Sequence, residues 1–574
     1  MDYRETYEFW KTNLAGTEFE AEMEAIGRDE KLKEDSFYQY LEFGTAGMRG
    51  VIALGTNRMN VFTVRRSTQG LADYVNKMGQ AERGVAIAYD SRLHSDDFAL
   101  ETALVLAQNG VKAYLYDCLH SVPQLSYAVL KLHTFAGVVI TASHNPPQYN
   151  GYKVYGEDGG QLAVEDAATV TGYINAIDNI FAVKAMDRQE AIDKGLLVYI
   201  GEEIDEQYYR DVATIPINRD VIEAQKDKLS VVYTPLHGTG NVPVRHMLGV
   251  LGIKNLHVVK EQELPDSRFP TVKAPNPEEP DAFVLATKLA NETGANMILG
   301  TDPDCDRLGV CVRDGSGEFR VLTGNQIGCL LMDYILSQKQ KDFTGDEFVV
   351  KSIVSTNMAD VIAKHYGVEL RDVLTGFKFI AEQIKLSERS GKGHFLFGFE
   401  ESYGFLSGTF VRDKDACIGA TLVTEMTCYY AEKGMTLYDA LCALYEKYGY
   451  FKEAVTSKTL SGIEGIAKIM SAVETLRAEG LKEIGGFTVV TLRDFETQKA
   501  TEVATGKATP IDLPKSNVLY FELDGGARFI LRPSGTEPKL KAYITASGKT
   551  DAEATEKFER LKKAVTDLVD GLTK

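Results

Sequence analysis

Val85-Ala86-Ile87-Ala88-Tyr89 is a short apolar strand, residues 98–109 after it form an amphipathic helix, and Gly110 then opens a second apolar run over 111–116. Strand, helix, glycine and returning strand make a βαβ unit. The glycine supplies a left-handed cap, and the crossover brings the second strand back as a parallel neighbour. The pattern recurs twice: Val231-Val232-Tyr233, residues 242–251, Gly252 and 253–259, and then Phe348-Val349-Val350, residues 358–366, Gly367 and 368–373. Three such units predict three similar mixed α/β domains in preference to one large doubly wound sheet.

The C-terminal sequence has a different rhythm. Short apolar runs at 487–492, 517–523, 528–532 and 540–544 read as strands joined by short turns, with a charged helix over 551–568. They predict a C-terminal α+β domain, partly antiparallel. The expected division is a helical N-terminal lead-in at 1–43, domains at 44–212, 213–322 and 323–450, and the C-terminal domain at 451–574.

A chain of 574 residues is too long for one core, and its 44% apolar and 25% charged residues are ordinary globular values. A formal charge of -19 argues against nucleic acid or an anionic membrane as the main partner. A phosphate site in such a chain must concentrate its cations locally, as Arg532, Lys539 and Lys541 do. The seven cysteines contain no Cys-x-x-Cys pair, which suits free thiols in a reducing compartment. With no signal-peptide profile and no apolar run near the roughly 20 residues of a membrane span, the expectation is a soluble cytoplasmic protein.

Thr141-Ala142-Ser143-His144-Asn145-Pro146-Pro147 places a hydroxyl beside an imidazole just after the apolar run Gly137-Val138-Val139-Ile140. Asp302, Asp304 and Asp306 lie in a short turn between Met297-Ile298-Leu299-Gly300 and Leu308-Gly309-Val310-Cys311-Val312. An EF-hand beginning at Asp302 would need Gly sixth and Glu twelfth, where this chain has Arg307 and Arg313, so that reading fails. Three carboxylates packed in one turn are costly unless a small hard cation offsets them. Arg532-Pro533-Ser534-Gly535-Thr536 supplies a guanidinium, two hydroxyls and flexible backbone able to clamp a phosphate. Serine nucleophile, metal site and clamp together indicate phosphoryl transfer on a phosphorylated metabolite. Other chemistries lack their signatures. Gly238-Thr239-Gly240-Asn241-Val242-Pro243 has proline where a dinucleotide fingerprint needs its third glycine. Gly548-Lys549-Thr550 has Tyr543 where a Walker A loop needs its first, and Ser143 has no Gly-x-Ser-x-Gly elbow.

With Gly44-Thr45-Ala46-Gly47-Met48-Arg49-Gly50 and Gly398-Phe399-Glu400-Glu401-Ser402-Tyr403-Gly404 added in their order, the chain resembles the α-D-phosphohexomutase superfamily, most closely its α-phosphoglucomutase branch. The resemblance implies four domains around a central cleft and reversible conversion of α-D-glucose 1-phosphate and glucose 6-phosphate through glucose 1,6-bisphosphate. Ser143 resembles the phosphorylated serine. Magnesium would be held by Asp302, Asp304, Asp306 and the Ser143 phosphate. Arg49 and Arg307 lie in motifs that approach the reacting phosphoryl group. His144, Lys153 and Lys414 are alternatives for proton handling, and the sequence does not choose among them. Thr375, Gly376, Glu400 and Ser402 resemble sugar-contact loops, with Arg412 beside Lys414 in Arg412-Asp413-Lys414-Asp415. Arg532, Ser534, Gly535 and Thr536 would hold the phosphate that is not reacting. The implied partner is a small phosphosugar, and the implied state a monomer or weak oligomer. Mutases of mannose or pentose phosphates, a sugar-bisphosphate synthase and a non-catalytic binding homologue remain as rivals.

Overall fold

Each of the three βαβ units has its own sheet in the computed structural model, which describes residues 2–44, 47–460, 462–534 and 539–573. In the first, Val85–Tyr89 and Ala113–Tyr116 pair in parallel across helix Ser95–Gln108. The second pairs Ser230–Thr234 with Asn255–Val258 across Asn241–Val250, and the third Glu347–Ser352 with Glu369–Val373 across Met358–Tyr366. Gly110, Gly252 and Gly367 after these helices all have φ between +70° and +80°, the left-handed conformation for which each unit uses a glycine.

The sheets share a strand order that the repeats alone did not reveal. Beside each parallel pair lies a third parallel strand, followed by an antiparallel one: Ala136–Ile140 then Tyr149–Gly156, Met297–Thr301 then Leu308–Arg313, and His394–Glu400 then Gly404–Leu406. The serine loop, the aspartate loop and the turn after Glu400 are therefore the same connection in three repeats. The first sheet adds Gly47–Val51 beyond Tyr149–Gly156, which places Arg49 opposite Gly151.

The C-terminal sheet is antiparallel throughout its described strands. Its edge strand Tyr450–Thr459 and helix Gly462–Glu479 were not read from sequence, whereas the last helix appears at Asp551–Leu572. The lead-in comprises helices Tyr3–Leu14, Glu20–Gly27 and Glu30–Phe37. They close around Trp10, the chain's single tryptophan, which is 0% exposed and edge-on to Phe37, Phe62 and Phe181. All seven cysteines are free. Among the described residues no helix is long and apolar enough to cross a membrane.

Candidate active site

The serine and aspartate loops meet across two units. Ser143 is 3% exposed with φ +51°. Its hydroxyl donates to Asp302 Oδ2 at 2.7 Å and lies 3.1 Å from His144 Nδ1, and its N–H donates to Thr141 Oγ1 at 2.8 Å. Asp302 Oδ1 accepts from the N–H groups of Asp306 and Arg307, which folds the turn around it. The Asp304 carbonyl accepts from Val122 N at 2.9 Å, tying this turn to the start of helix Val122–Leu132 in the first unit. Gly238 and Thr239 lie against Pro303, and Thr239 donates to its carbonyl through both N–H and hydroxyl. The segment that lacks a dinucleotide fingerprint thus braces the aspartate turn.

Cations and carboxylates alternate around the serine. Lys153 Nζ lies 2.8 Å from Asp304 and 3.8 Å from Asp306, and Lys414 Nζ lies 3.1 Å from both Asp306 and Asp413. Arg49 donates to Asn145 Oδ1 at 3.0 Å. Burial, then Asp304 and Asp306, push the Asp302 carboxyl well above the usual carboxylate range. Burial opposes ionisation of Asp304 too, but Lys153 and a hydrogen bond from Asp302 hold it below that range. Burial, then Arg307 and Arg49, hold His144 well below the ordinary histidine value, so its imidazole is neutral. Lys414 is the reverse: against burial, Asp306, Asp413 and Glu400 keep its ammonium charged.

The triad fits a small hard cation. One oxygen from each carboxylate lies within 4.8 Å of the others, and the Oδ1 atoms of Asp304 and Asp306 are buried with no hydrogen-bond partner. Unpaired carboxylate oxygens in a dry site are costly, and an all-oxygen donor set matches Mg²⁺ chemistry. The second grouping of potential ligands, Asp117, Cys118 and His120, lacks this character. There His120 Nδ1 already lies 2.9 Å from the Cys118 carbonyl and Nε2 2.9 Å from Asp205.

Glu400 Oε1 accepts from Gly376 N at 2.7 Å, and the buried Thr375 hydroxyl beside it has no hydrogen-bond partner. Burial and then Glu401 push the Glu400 carboxyl up to about 7. Ser402 is half-buried in the adjoining turn. Arg532 and Lys541 face each other across strands Arg528–Pro533 and Lys539–Gly548, with Ser534 N donating to the Lys539 carbonyl at 2.7 Å. Gly535 and Thr536 lie outside the described residues. The Arg412 guanidinium is buried, donates to Glu388 of helix Phe377–Ser390, and leaves Nε and Nη1 without a hydrogen-bond partner.

Sequence reading missed the residue that shapes the serine loop. Arg92 is buried, and its guanidinium donates to the carbonyls of Ser143, Asn145, Pro146 and Tyr149, beneath the Phe269 ring at 5.1 Å. Asp90 accepts from Arg92 N at 2.9 Å and from Ser95 and Thr141. Replacing Arg92 by Leu would leave those four carbonyls and Asp90 without their cation. We expect a loss of about 3–5 kcal/mol of stability and roughly tenfold in kcat, read by denaturant unfolding and steady-state kinetics. A variant of unchanged stability would show the contacts to be incidental.

The four family models for the phosphoglucomutase/phosphomannomutase domains match in order. The alpha/beta/alpha domains I, II and III match residues 40–181, 206–315 and 323–448, and the C-terminal domain matches 492–564. A phosphoglucomutase of Staphylococcus saprophyticus is 38% identical over 531 residues, covering 92% of this chain and 95% of that one. The chain belongs to the phosphoglucomutase/phosphomannomutase family. A Staphylococcus epidermidis phosphoglucomutase is 40% identical over 512 residues, 88% of this chain and 91% of its own. Solved structures carry the family fold at lower identity. A putative phosphomannomutase from Thermus thermophilus superposes with a TM-score of 0.69 at 20% identity, covering 92% of this chain and 99% of that one. The open form of the Paramecium phosphoprotein parafusin superposes at 0.68 and 15%, covering 93% and 95%. In this family member the serine, aspartate and glutamate loops thus converge from three repeats of one fold.

Proposed function

We propose that this chain interconverts α-D-glucose 1-phosphate and glucose 6-phosphate, with Ser143 carrying the transferred phosphoryl group and glucose 1,6-bisphosphate as the intermediate. The observation that carries it is the Ser143 hydroxyl 2.7 Å from Asp302 in a buried carboxylate triad, beside a neutral His144. In one half-reaction a sugar hydroxyl oxygen bonds to phosphorus as the bond from phosphorus to Ser143 Oγ breaks. The hydroxyl proton must leave. His144, whose Nδ1 lies 3.1 Å from the Ser143 hydroxyl, Lys153 and Lys414 are the candidates to handle it. Arg49 and Arg307 stabilise charge on the equatorial oxygens, and Lys153 steadies Asp304 and Asp306. Asp302, Asp304, Asp306 and the phosphorylated Ser143 would hold Mg²⁺, which supplies charge neutralisation to the group in flight.

Glu400, Ser402, Thr375 and Gly376 would meet the sugar hydroxyls, while Arg532, Ser534, Gly535 and Thr536 would hold the second phosphate. A bisphosphate that reverses between clamp and serine is what makes the chemistry a mutase. The division at 212, 322 and 450 belongs to the same proposal, supported by strand Tyr450–Thr459 pairing into the C-terminal sheet, as does work in the cytoplasm as a monomer or weak oligomer.

Phosphorus NMR of the protein with magnesium and a trace of glucose 1,6-bisphosphate, offered glucose, mannose and ribose 1-phosphates in turn, tests the reading. Fast formation of glucose 6-phosphate with slower reaction of the others is expected. Preference for mannose or ribose phosphate would reassign the substrate, and no turnover by protein phosphorylated on Ser143 would reject the mutase.

Glu400 makes the affinity pH-dependent. Its folded value of about 7 lies above the ordinary 4.5, so the stability its acid form contributes is present below pH 4.5 and lost as pH rises through 7. A sugar hydroxyl donating to the ionised form reverses that preference in the complex. KM for the phosphosugar should therefore fall as pH rises from 6 to 8, and Glu400→Gln should remove that part of the dependence. Parallel pH profiles in the two proteins would exclude Glu400 as the sugar acceptor.

A further inference from the structure

Arg307 is held by a carboxylate that lies outside every motif of the sequence, Glu278, whose Oε1 pairs with Arg307 Nη1. The loop carrying it is fixed. Glu278 N donates to Asn276 Oδ1 at 3.2 Å and Glu279 N to the Asn276 carbonyl at 3.0 Å. A Cβ on Gly309 would sit 2.6 Å from the Pro277 carbonyl oxygen, so the loop rests directly on the backbone of strand Leu308–Arg313.

The rest of Arg307 is placed by its backbone and by Asp306, while its buried Nε has no hydrogen-bond partner. Its N–H donates to Asp302 Oδ1 at 3.0 Å, its Nε lies 4.0 Å from Asp306 Oδ1, and it bridges to Gly404 of the third unit. Glu278, with a side chain one-third exposed, reaches further: its negative field acts on Glu401 and Tyr403 of the third unit and on Lys541 of the C-terminal sheet. One carboxylate thus stands where three units converge, on the guanidinium that approaches the reacting phosphate. A phosphate dianion arriving at that guanidinium meets a like charge already on it, and the two compete for one planar set of donors.

We propose that Glu278 is a positioning and specificity residue that holds Arg307 in the cleft and yields it to a phosphate dianion. Weaker anions and neutral sugars do not displace it. The inference rests on the assignment of Arg307 to the reacting phosphate.

The test is calorimetric binding of inorganic phosphate to the full chain with Mg²⁺, using protein shown by intact mass to be unphosphorylated at Ser143. Glu278→Gln keeps the shape and removes the charge, and should tighten phosphate binding about tenfold. Glu279→Gln removes the same charge one residue away, from a side chain with no contact to Arg307, and should change binding less than twofold. In an Arg307→Met background, Glu278→Gln should have no further effect. Glu278→Gln behaving like Glu279→Gln, weakening phosphate binding, or acting equally without Arg307 would each overturn the proposal. Turnover is measured separately on the same proteins. Tightened phosphate binding without conversion of any phosphosugar would reject the mutase reading and leave the Glu278 assignment standing.

Discussion

Ser143→Ala is expected to abolish turnover, by about 10⁴-fold or more, in a protein that folds as before. The hydroxyl has no substitute in the site: His144 is the next nucleophilic group, 3.1 Å away on the same loop, and is itself one of the candidates for proton handling. The fold does not depend on the hydroxyl. The loop is fixed by Ser143 N donating to Thr141 and by Arg92 donating to the loop carbonyls, and both survive the change. Alanine accepts the positive φ no worse than serine does, and Ser143→Gly, which relieves it, serves as the conformational control. Intact mass should show loss of the phosphoryl adduct, steady-state kinetics the loss of activity, and thermal unfolding a nearly unchanged midpoint. Activity above about one per cent of the parent in either variant would mean that phosphoryl transfer does not pass through this residue.

Asp304→Asn should raise the magnesium requirement at least about 100-fold and cost about 10³ in kcat/KM at ordinary magnesium concentrations. The change is isosteric, yet it removes the one triad carboxylate held firmly ionised by Lys153. The lost charge weakens cation binding, and Lys153 is left with a neutral amide oxygen in place of its carboxylate partner and a longer contact to Asp306 at 3.8 Å. Phosphosugar binding should move by no more than a few-fold, because the clamp at Arg532 and Lys541 lies on another sheet. Asp413→Asn is the matched control, since it deprives Lys414 of a partner without touching the triad. Titration of activity against Mg²⁺ separates them. An unchanged magnesium curve in Asp304→Asn would dismiss the triad as the metal site.

Much of the site was legible because its groups sit in short local runs. Asp302, Asp304 and Asp306 share one turn, and their close like charge is visible without coordinates. Ser143 and His144 are adjacent, and the apolar strand before them is plain in the sequence. What escaped was support supplied from a distance. Asp90-Ser91-Arg92 carries no periodic signal, and only the fold places Arg92 under carbonyls more than fifty residues away. Glu278 follows a proline in an ordinary loop, and its partner Arg307 lies 29 residues on. Arg412 likewise owes its partner to the fold: its guanidinium donates to Glu388, 24 residues earlier in the chain.

The amino-acid sequence alone determined the three βαβ repeats, a C-terminal α+β unit with partly antiparallel strands and the chemical types gathered in each loop. Those properties follow from periodicity, glycine placement and residue chemistry within stretches of a few tens of residues. Tertiary structure decided that the third parallel strand and its antiparallel neighbour recur in all three sheets, so that three loops far apart in the chain become equivalent and meet. It also decided ionisation: Asp302 and Asp304 are the same residue type two positions apart, yet burial beside like charges favours the acid in one and Lys153 the carboxylate in the other. That difference depends on distances between units, which a linear sequence does not contain.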